Sequence, residues 1–298
     1  MPPMPFAFLD GPWKLSMGVR TLDLRHWLVL DDRWEEEIQE RRRLSRECRD
    51  LVYDVEPGAE PACRELLALA AEWLGTHAAD RFERVPDGLR VKMTGELVRL
   101  DVRDPLLALG CLVQEDLLLL EQAEDGSYYL RAGHLCFPLH WKLADKIGRT
   151  VGHIHDPVPR SDERLASPLQ RLFQTLEPER PVWRANWTLT STPELCRPDR
   201  SDHLAHLDEE RVGRALWLRV ERQTLRRLPR TRAVLFTVKT YVTPLEEIAR
   251  EPDIAAAIAA RLREMPDAVA AYKGLSAIRE PVLRWLDARA IGPQELPS

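Results

Sequence analysis

Five segments between residues 116 and 242 read as β-strands, and their order restricts the fold more than any other feature of the chain. Asp116 to Gln122 is a short apolar run, Glu124-Asp125-Gly126-Ser127 makes a turn, and Tyr128 to Phe137 runs on, which is the pattern of a hairpin. Pro138 closes it. In Val182 to Thr190, Trp183, Ala185, Trp187 and Leu189 alternate with Arg184, Asn186, Thr188 and Thr190. Side chains on a strand alternate between faces, so this segment presents one apolar and one polar side. Ala215 to Leu225 and Ala233 to Val242 are two longer strands joined by a polar turn around Pro229.

Helical segments separate the second strand from the third. Trp141 to Thr150 reads as a helix ending near Gly148 and followed by the stiff Asp156-Pro157-Val158-Pro159, and Ser167 to Leu176 reads as a second short helix. Strand, strand, helical insertion, then three strands is the order of a PAS domain, which holds its ligand between sheet and insertion. The expected fold class is therefore α+β: a PAS-like five-stranded antiparallel sheet over 114–243, with a mainly helical N-terminal extension (1–113) and a C-terminal helical one (244–298). Trp34 to Tyr53 and Glu60 to Leu74 supply the N-terminal helices, with Pro57-Gly58 between them.

Composition narrows the function. With 43 Lys and Arg against 48 Asp and Glu, a net charge of −5 argues against a nucleic-acid partner. The longest strongly apolar stretch, Leu106 to Val113, is too short to span a bilayer, and the N-terminus shows no signal-peptide pattern. Cys48, Cys63, Cys111, Cys136 and Cys196 form no CxxC pair, which speaks against a disulfide framework, a cysteine zinc site and a ferredoxin-type cluster. A reducing, cytoplasmic location is expected. No phosphate loop, GxSxG elbow or HExxH is present.

The densest unusual residues lie in the insertion, where His134, His140, His153 and His155 fall within 22 residues of one another. His153 and His155 lack an evident third metal ligand, so zinc is disfavoured. A single histidine at a helix end, held by a proline-stiffened loop, suits axial ligation of haem iron; a loop histidine bonded to backbone is the competing possibility. Cys136 is a competing ligand type, although its setting reads as that of a buried structural thiol. On the late strands, Leu216, Leu218 and Val220 lead to Arg222, and Val234, Phe236 and Val238 lead to Thr240. Either polar residue could reach a pocket, or simply leave the core as its strand ends. Arg184 and Asn186 share that ambiguity.

Met17-Gly18-Val19-Arg20, Gln114-Glu115-Asp116, Cys136-Phe137-Pro138 with Trp141, Ile154-His155-Asp156-Pro157-Val158-Pro159, Arg184-Ala185-Asn186-Trp187, and Arg219 through Pro229 occur in this order. In them the chain resembles the haem-binding α subunit of haem-dependent oxidative N-demethylases, from about residue 10 to residue 285. The resemblance implies a PAS-like sheet holding haem b, with His155 as the axial ligand; His140 stands where relatives are expected to carry a small residue. It implies a monooxygenase-type oxidation of a small, dimethylamine-like amine with O2. Electrons would come from NADPH through FMN and 2Fe-2S centres on a partner reductase, not on this chain. Arg222, with Glu221 or Tyr241, is then expected to orient the amine or bound oxygen, and Arg184, Asn186 and Thr240 to contact the cofactor. A non-enzymatic PAS-like haem sensor, or a haem-free binding subunit, are the alternatives from other classes.

Overall fold

The computed structural model describes residues 6–9, 18–155, 166–199 and 207–290. The strands that matter for function are β6 (Asp116–Gln122), β7 (Tyr128–His134), β8 (Val182–Thr190), β9 (Trp217–Arg227) and β10 (Val234–Pro244). They form one antiparallel sheet in the spatial order β8-β9-β10-β6-β7. The closing contact is made by β10 beside β6, so the last strand sits in the middle. Two short strands widen this sheet: β1 (Arg20–Thr21) pairs with the start of β8, and β2 (Tyr53–Val55) pairs with β7.

Register assigns the faces. Arg184, Asn186, Glu221, Gln223, Val238 and Thr240 share one face, since Asn186 lies opposite Glu221 and Glu221 opposite Thr240. Trp183, Ala185, Trp187, Val220, Arg222, Lys239 and Tyr241 occupy the other. The second face is covered by the N-terminal helices Trp34–Glu47 and Glu60–His77 over β6 and β10, and by the C-terminal helices over β8 and β9. The first face is covered in part by the insertion: Leu118, Leu120, Leu130, Leu225 and Val234 pack with Leu143, Phe173 and Leu176. The polar half, on β8, β9 and β10, continues that face beyond the apolar cluster.

Buried polar contacts fasten the layers. The Arg41 guanidinium, fully buried, donates to Asp116 Oδ1 at 2.8 Å and to the Gly110 carbonyl at 2.8 Å. Asp116 also accepts from the backbone N–H of Cys136 at 2.7 Å, so one ion pair fixes where the chain leaves β7 for the insertion. Lys239 donates to Glu37 Oε2 at 2.6 Å and lies 3.3 Å from Asp31 Oδ2, tying β10 to the N-terminal layer. Glu65 accepts the backbone N–H groups of Arg230 and Thr231, which caps the turn between β9 and β10.

Beside its helices the N-terminal region holds a separate three-stranded sheet that is not evident from the sequence pattern, made of β3 (Phe82–Val85), β4 (Gly88–Val91) and β5 (Leu97–Arg99). Each is only three or four residues long, too short for alternation to stand out in the sequence. Trp141 to Thr150 is not one helix; it holds a 3-10 turn, Leu143–Asp145, and a helix begins only at Val151. The physical reason is competition for the backbone. Gly148 N–H donates to the Leu130 carbonyl and Leu130 N–H to the Arg149 carbonyl, so β7 takes the groups that a continued helix would use. Among the described residues, no helix is long and apolar enough to cross a membrane.

Candidate functional site

The polar field on the insertion side of the sheet is built around Glu221. Gln223 Nε2 donates to its Oε2 at 3.0 Å, Asn186 Nδ2 reaches the same oxygen at 3.4 Å, and Arg219 Nε lies 3.6 Å from Oε1. Thr240, almost fully buried, accepts from the Arg219 guanidinium at 3.5 Å. Arg219 is pinned by the carbonyls of Phe137 and Leu195, which tie the segments after β7 and after β8 to this strand. Burial pushes the Arg184 and Arg219 guanidiniums below their ordinary range, with the Glu221 charge opposing. Arg184 Nε is buried and has no hydrogen-bond partner among the described residues.

A residue outside the sheet completes this field. Lys273, half-buried, donates from Nζ to Asn186 Oδ1 at 2.9 Å and to the Trp187 carbonyl at 2.6 Å. Burial pushes its ammonium down to about 8, with Glu221 opposing that shift and Arg184 adding to it. Arg184, Arg219 and Lys273 thus stand as three cations around one carboxylate. Nothing in the strand pattern points to Lys273. The available signals are the scarcity of lysine, six in the whole chain, and a glycine directly after it.

Strand parity separates the residues expected to act together. Glu221, Arg184, Asn186 and Thr240 converge on the insertion side; Arg222 and Tyr241 are on the opposite face. There Arg222 donates to the His26 and Trp27 carbonyls, stacks 5.8 Å from the Trp183 ring centre, and with Tyr241 lines an open cleft of about 710 Å3 beneath the N-terminal segment. Neighbours in sequence point to opposite sides of a sheet, so Glu221 and Arg222 cannot serve one pocket.

The histidines are placed very differently. His155 ends the helix Val151–His155; its side chain, and Asp156 through Pro159, lie outside the described residues. His153 is exposed, its backbone N–H on Thr150 Oγ1. His140 has φ +62°, the left-handed region that costs any residue with a Cβ. His134 is fully buried, and burial drives its imidazolium well below the ordinary range, so the ring is neutral.

His134 Nε2 lies 2.9 Å from Ser45 Oγ, which has the look of a nucleophile–base pair. The hydrogen bonds exclude it. Arg41 has only donors, so its contact at 3.1 Å makes His134 Nδ1 the acceptor and Nε2–H the donor to Ser45. The ring therefore has no lone pair to take the serine proton, and Ser45 itself donates to the Arg41 carbonyl. Cys136 is no thiolate either: burial pushes its thiol up to about 12, and it sits just past β7 with its N–H on Asp116. Among the described residues, no group of three or more His, Cys, Asp or Glu is arranged to hold a metal ion.

A family model described as haem-dependent oxidative N-demethylase, alpha subunit-like, matches residues 18–283. The chain belongs to that family. The match takes in the sheet, the insertion and the C-terminal helices, and so includes Lys273 as well as Glu221. The demethylase description names an oxidoreductase that depends on haem, and an alpha subunit, which speaks of partner subunits.

Proposed function

We propose that this chain is the haem b-binding subunit of an oxidative N-demethylase acting on a small methylated amine of the dimethylamine type. In this reading O2 is the oxidant, and electrons from NADPH arrive through FMN and 2Fe-2S centres on a partner reductase. The observation that carries it is the Glu221 field, on the sheet face that the His155-bearing insertion partly covers, in a chain of this family. The spatial order of the central strands, β7-β6-β10-β9-β8, supports the PAS-like reading of the fold.

The donors on this face fit haem. Its propionates are carboxylates, and Arg184 offers a buried Nε with no partner in a field of three cations and one carboxylate. Arg184 is assigned to a propionate and His155 to the iron, with Thr240 and Asn186 beside the cofactor. The two prolines after Asp156 restrict the backbone that carries the histidine. When bound, the haem supplies the O2-dependent oxidation that releases formaldehyde from the N-methyl group.

The chain's own contribution is recognition. A dialkylamine is a cation at neutral pH, and Glu221 is the carboxylate on this face able to accept its N–H groups. Asn186, Gln223 and Arg219 orient that carboxylate without covering it: Glu221 keeps 16% side-chain exposure. On the far face, Arg222 holds the N-terminal segment to the sheet through the His26 and Trp27 carbonyls, Tyr241 lines the cleft beside it, and both act through the fold.

Haem-supplemented purification tests the cofactor, and folded protein that never develops a Soret band overturns the proposal. Formaldehyde release with NADPH and the cognate reductase tests the reaction; haem binding without turnover of any methylated amine points instead to a sensor. Glu221→Gln is expected to weaken dimethylammonium binding by about 1.5–3 kcal/mol, the worth of a hydrogen bond to a charged group.

A further inference from the structure

The C-terminal helices cover the face of the sheet away from the Glu221 field, yet one of their residues reaches that field. Helix Asp267–Tyr272 ends in a Schellman motif: Leu275 N–H donates to the Ala270 carbonyl at 2.8 Å and Gly274 N–H to that of Ala271 at 3.0 Å. Gly274 has φ +72°, and Leu275 is fully buried, so the chain reverses at a fixed point with Lys273 as the C-cap. That point lies beside the edge of β8, where Lys273 Nζ holds the Trp187 carbonyl and Asn186 Oδ1.

We infer that Lys273 is a positioning residue of the amine site, which fixes the Asn186 side-chain amide so that its N–H groups face Glu221. This rests on Glu221 being the amine-binding carboxylate. An ammonium has three donors and no acceptor, so it selects the oxygen end of the Asn186 amide. The nitrogen end is then turned to Glu221 Oε2, where it lies at 3.4 Å. Without Lys273, the amide is free to turn over, and its oxygen would then oppose the carboxylate that must receive the substrate. Gln223 holds the same oxygen from one side only. The Lys273 ammonium has no carboxylate within ion-pair distance among the described residues; its partners are carbonyl oxygens, which need a donor.

The test is calorimetric titration of dimethylammonium into the haem-loaded full chain, for wild type, Glu221→Gln, Lys273→Met, Lys273→Arg and the double variant Glu221→Gln/Lys273→Met. Soret absorbance and circular dichroism of each preparation report haem content and fold. Lys273→Met is expected to weaken amine binding on the order of tenfold, the lower end of what is lost when a group orienting a ligating residue is removed. Haem uptake should stay unchanged, and Lys273→Arg, which also has only donors, should recover part of the loss. Since the lysine acts through Glu221, the double variant should bind no more weakly than Glu221→Gln alone.

Losses that add in the double variant, or wild-type affinity in Lys273→Met while Glu221→Gln has lost it, overturn the role of the lysine and leave that of Glu221 standing. Wild-type affinity in Glu221→Gln overturns both. Should Lys273→Met fail to fold, Asn186→Leu replaces it: it removes the amide but keeps the bond from Lys273 to Trp187. Unchanged amine affinity in that variant overturns the inference.

Discussion

Replacing Arg41 with methionine should remove a large part of the stability of this protein, and the loss should depend on pH. Arg41 is fully buried, and its guanidinium donates to Asp116, to the Gly110 carbonyl and to His134 Nδ1. It also stands 5.2 Å from the centre of the Phe137 ring. Methionine fills much of the volume but supplies no donor. Asp116, 1% exposed, is left with only the N–H groups of Cys136 and Phe137. Breaking a buried pair from one side costs about 3–5 kcal/mol, against a total of about 5–15 kcal/mol for a typical domain. At about 2 °C per kcal/mol for a chain of this size, that is a fall of about 6–10 °C in Tm.

The pH dependence follows from the stranded carboxyl. Burial already pushes Asp116 up, with Arg41 opposing. Without Arg41 its folded pKa rises further above the unfolded value of about 3.9. The folded variant then keeps a proton that the unfolded chain releases, so its stability falls as pH climbs from about 4 toward the new folded value. Each pH unit across that window costs about 1.4 kcal/mol. Urea unfolding of both proteins at pH 5 and pH 8 measures it, and the deficit of Arg41→Met should be larger at pH 8. A deficit under about 1 kcal/mol, or one equal at both pH values, refutes the claim that Asp116 depends on Arg41. Adding Asp116→Leu should remove the pH dependence.

Three further outcomes are expected. His155→Ala should lose haem or shift its Soret band, whereas His153→Ala and His140→Ala keep the wild-type spectrum at matched folded concentration; a wild-type spectrum in His155→Ala rules out that ligand. Gly110→Ala should destabilise by at least about 1–3 kcal/mol in urea melts, because a Cβ there falls 1.8 Å from Nδ1 of a histidine held on both nitrogens. Cys136, with its thiol raised to about 12, should resist iodoacetamide at pH 8 in the native state, and Cys136→Ala should retain an imidazole-type haem spectrum; rapid native alkylation contradicts the burial argument.

The sequence alone determined the strands whose patterns are local. Asp116–Gln122 and Val182–Thr190 have the bounds expected from apolar runs and alternation, because side-chain period is written in neighbouring residues. The motifs around Gln114, His155, Asn186 and Glu221 likewise pointed to the family, since they are contiguous stretches. Parity was legible too: Val220 and Arg222 had to share a face, and so did Val238 and Thr240.

What the sequence could not decide was which of those faces meets which layer. That depends on β10 inserting between β6 and β9, a pairing between strands more than a hundred residues apart. Alternation alone parts Glu221 from Arg222, but the pairing of β9 with β8 and β10 is what joins Glu221 to Asn186 and Thr240. Lys273 was invisible for the same reason. Its partner Asn186 is 87 residues away, and the turn that delivers it is set by Leu275 sinking into a core that exists only once the C-terminal helices have packed on the sheet. Local periodicity records what a residue is next to along the chain; hydrogen-bond partners brought together by long-range packing leave no such record.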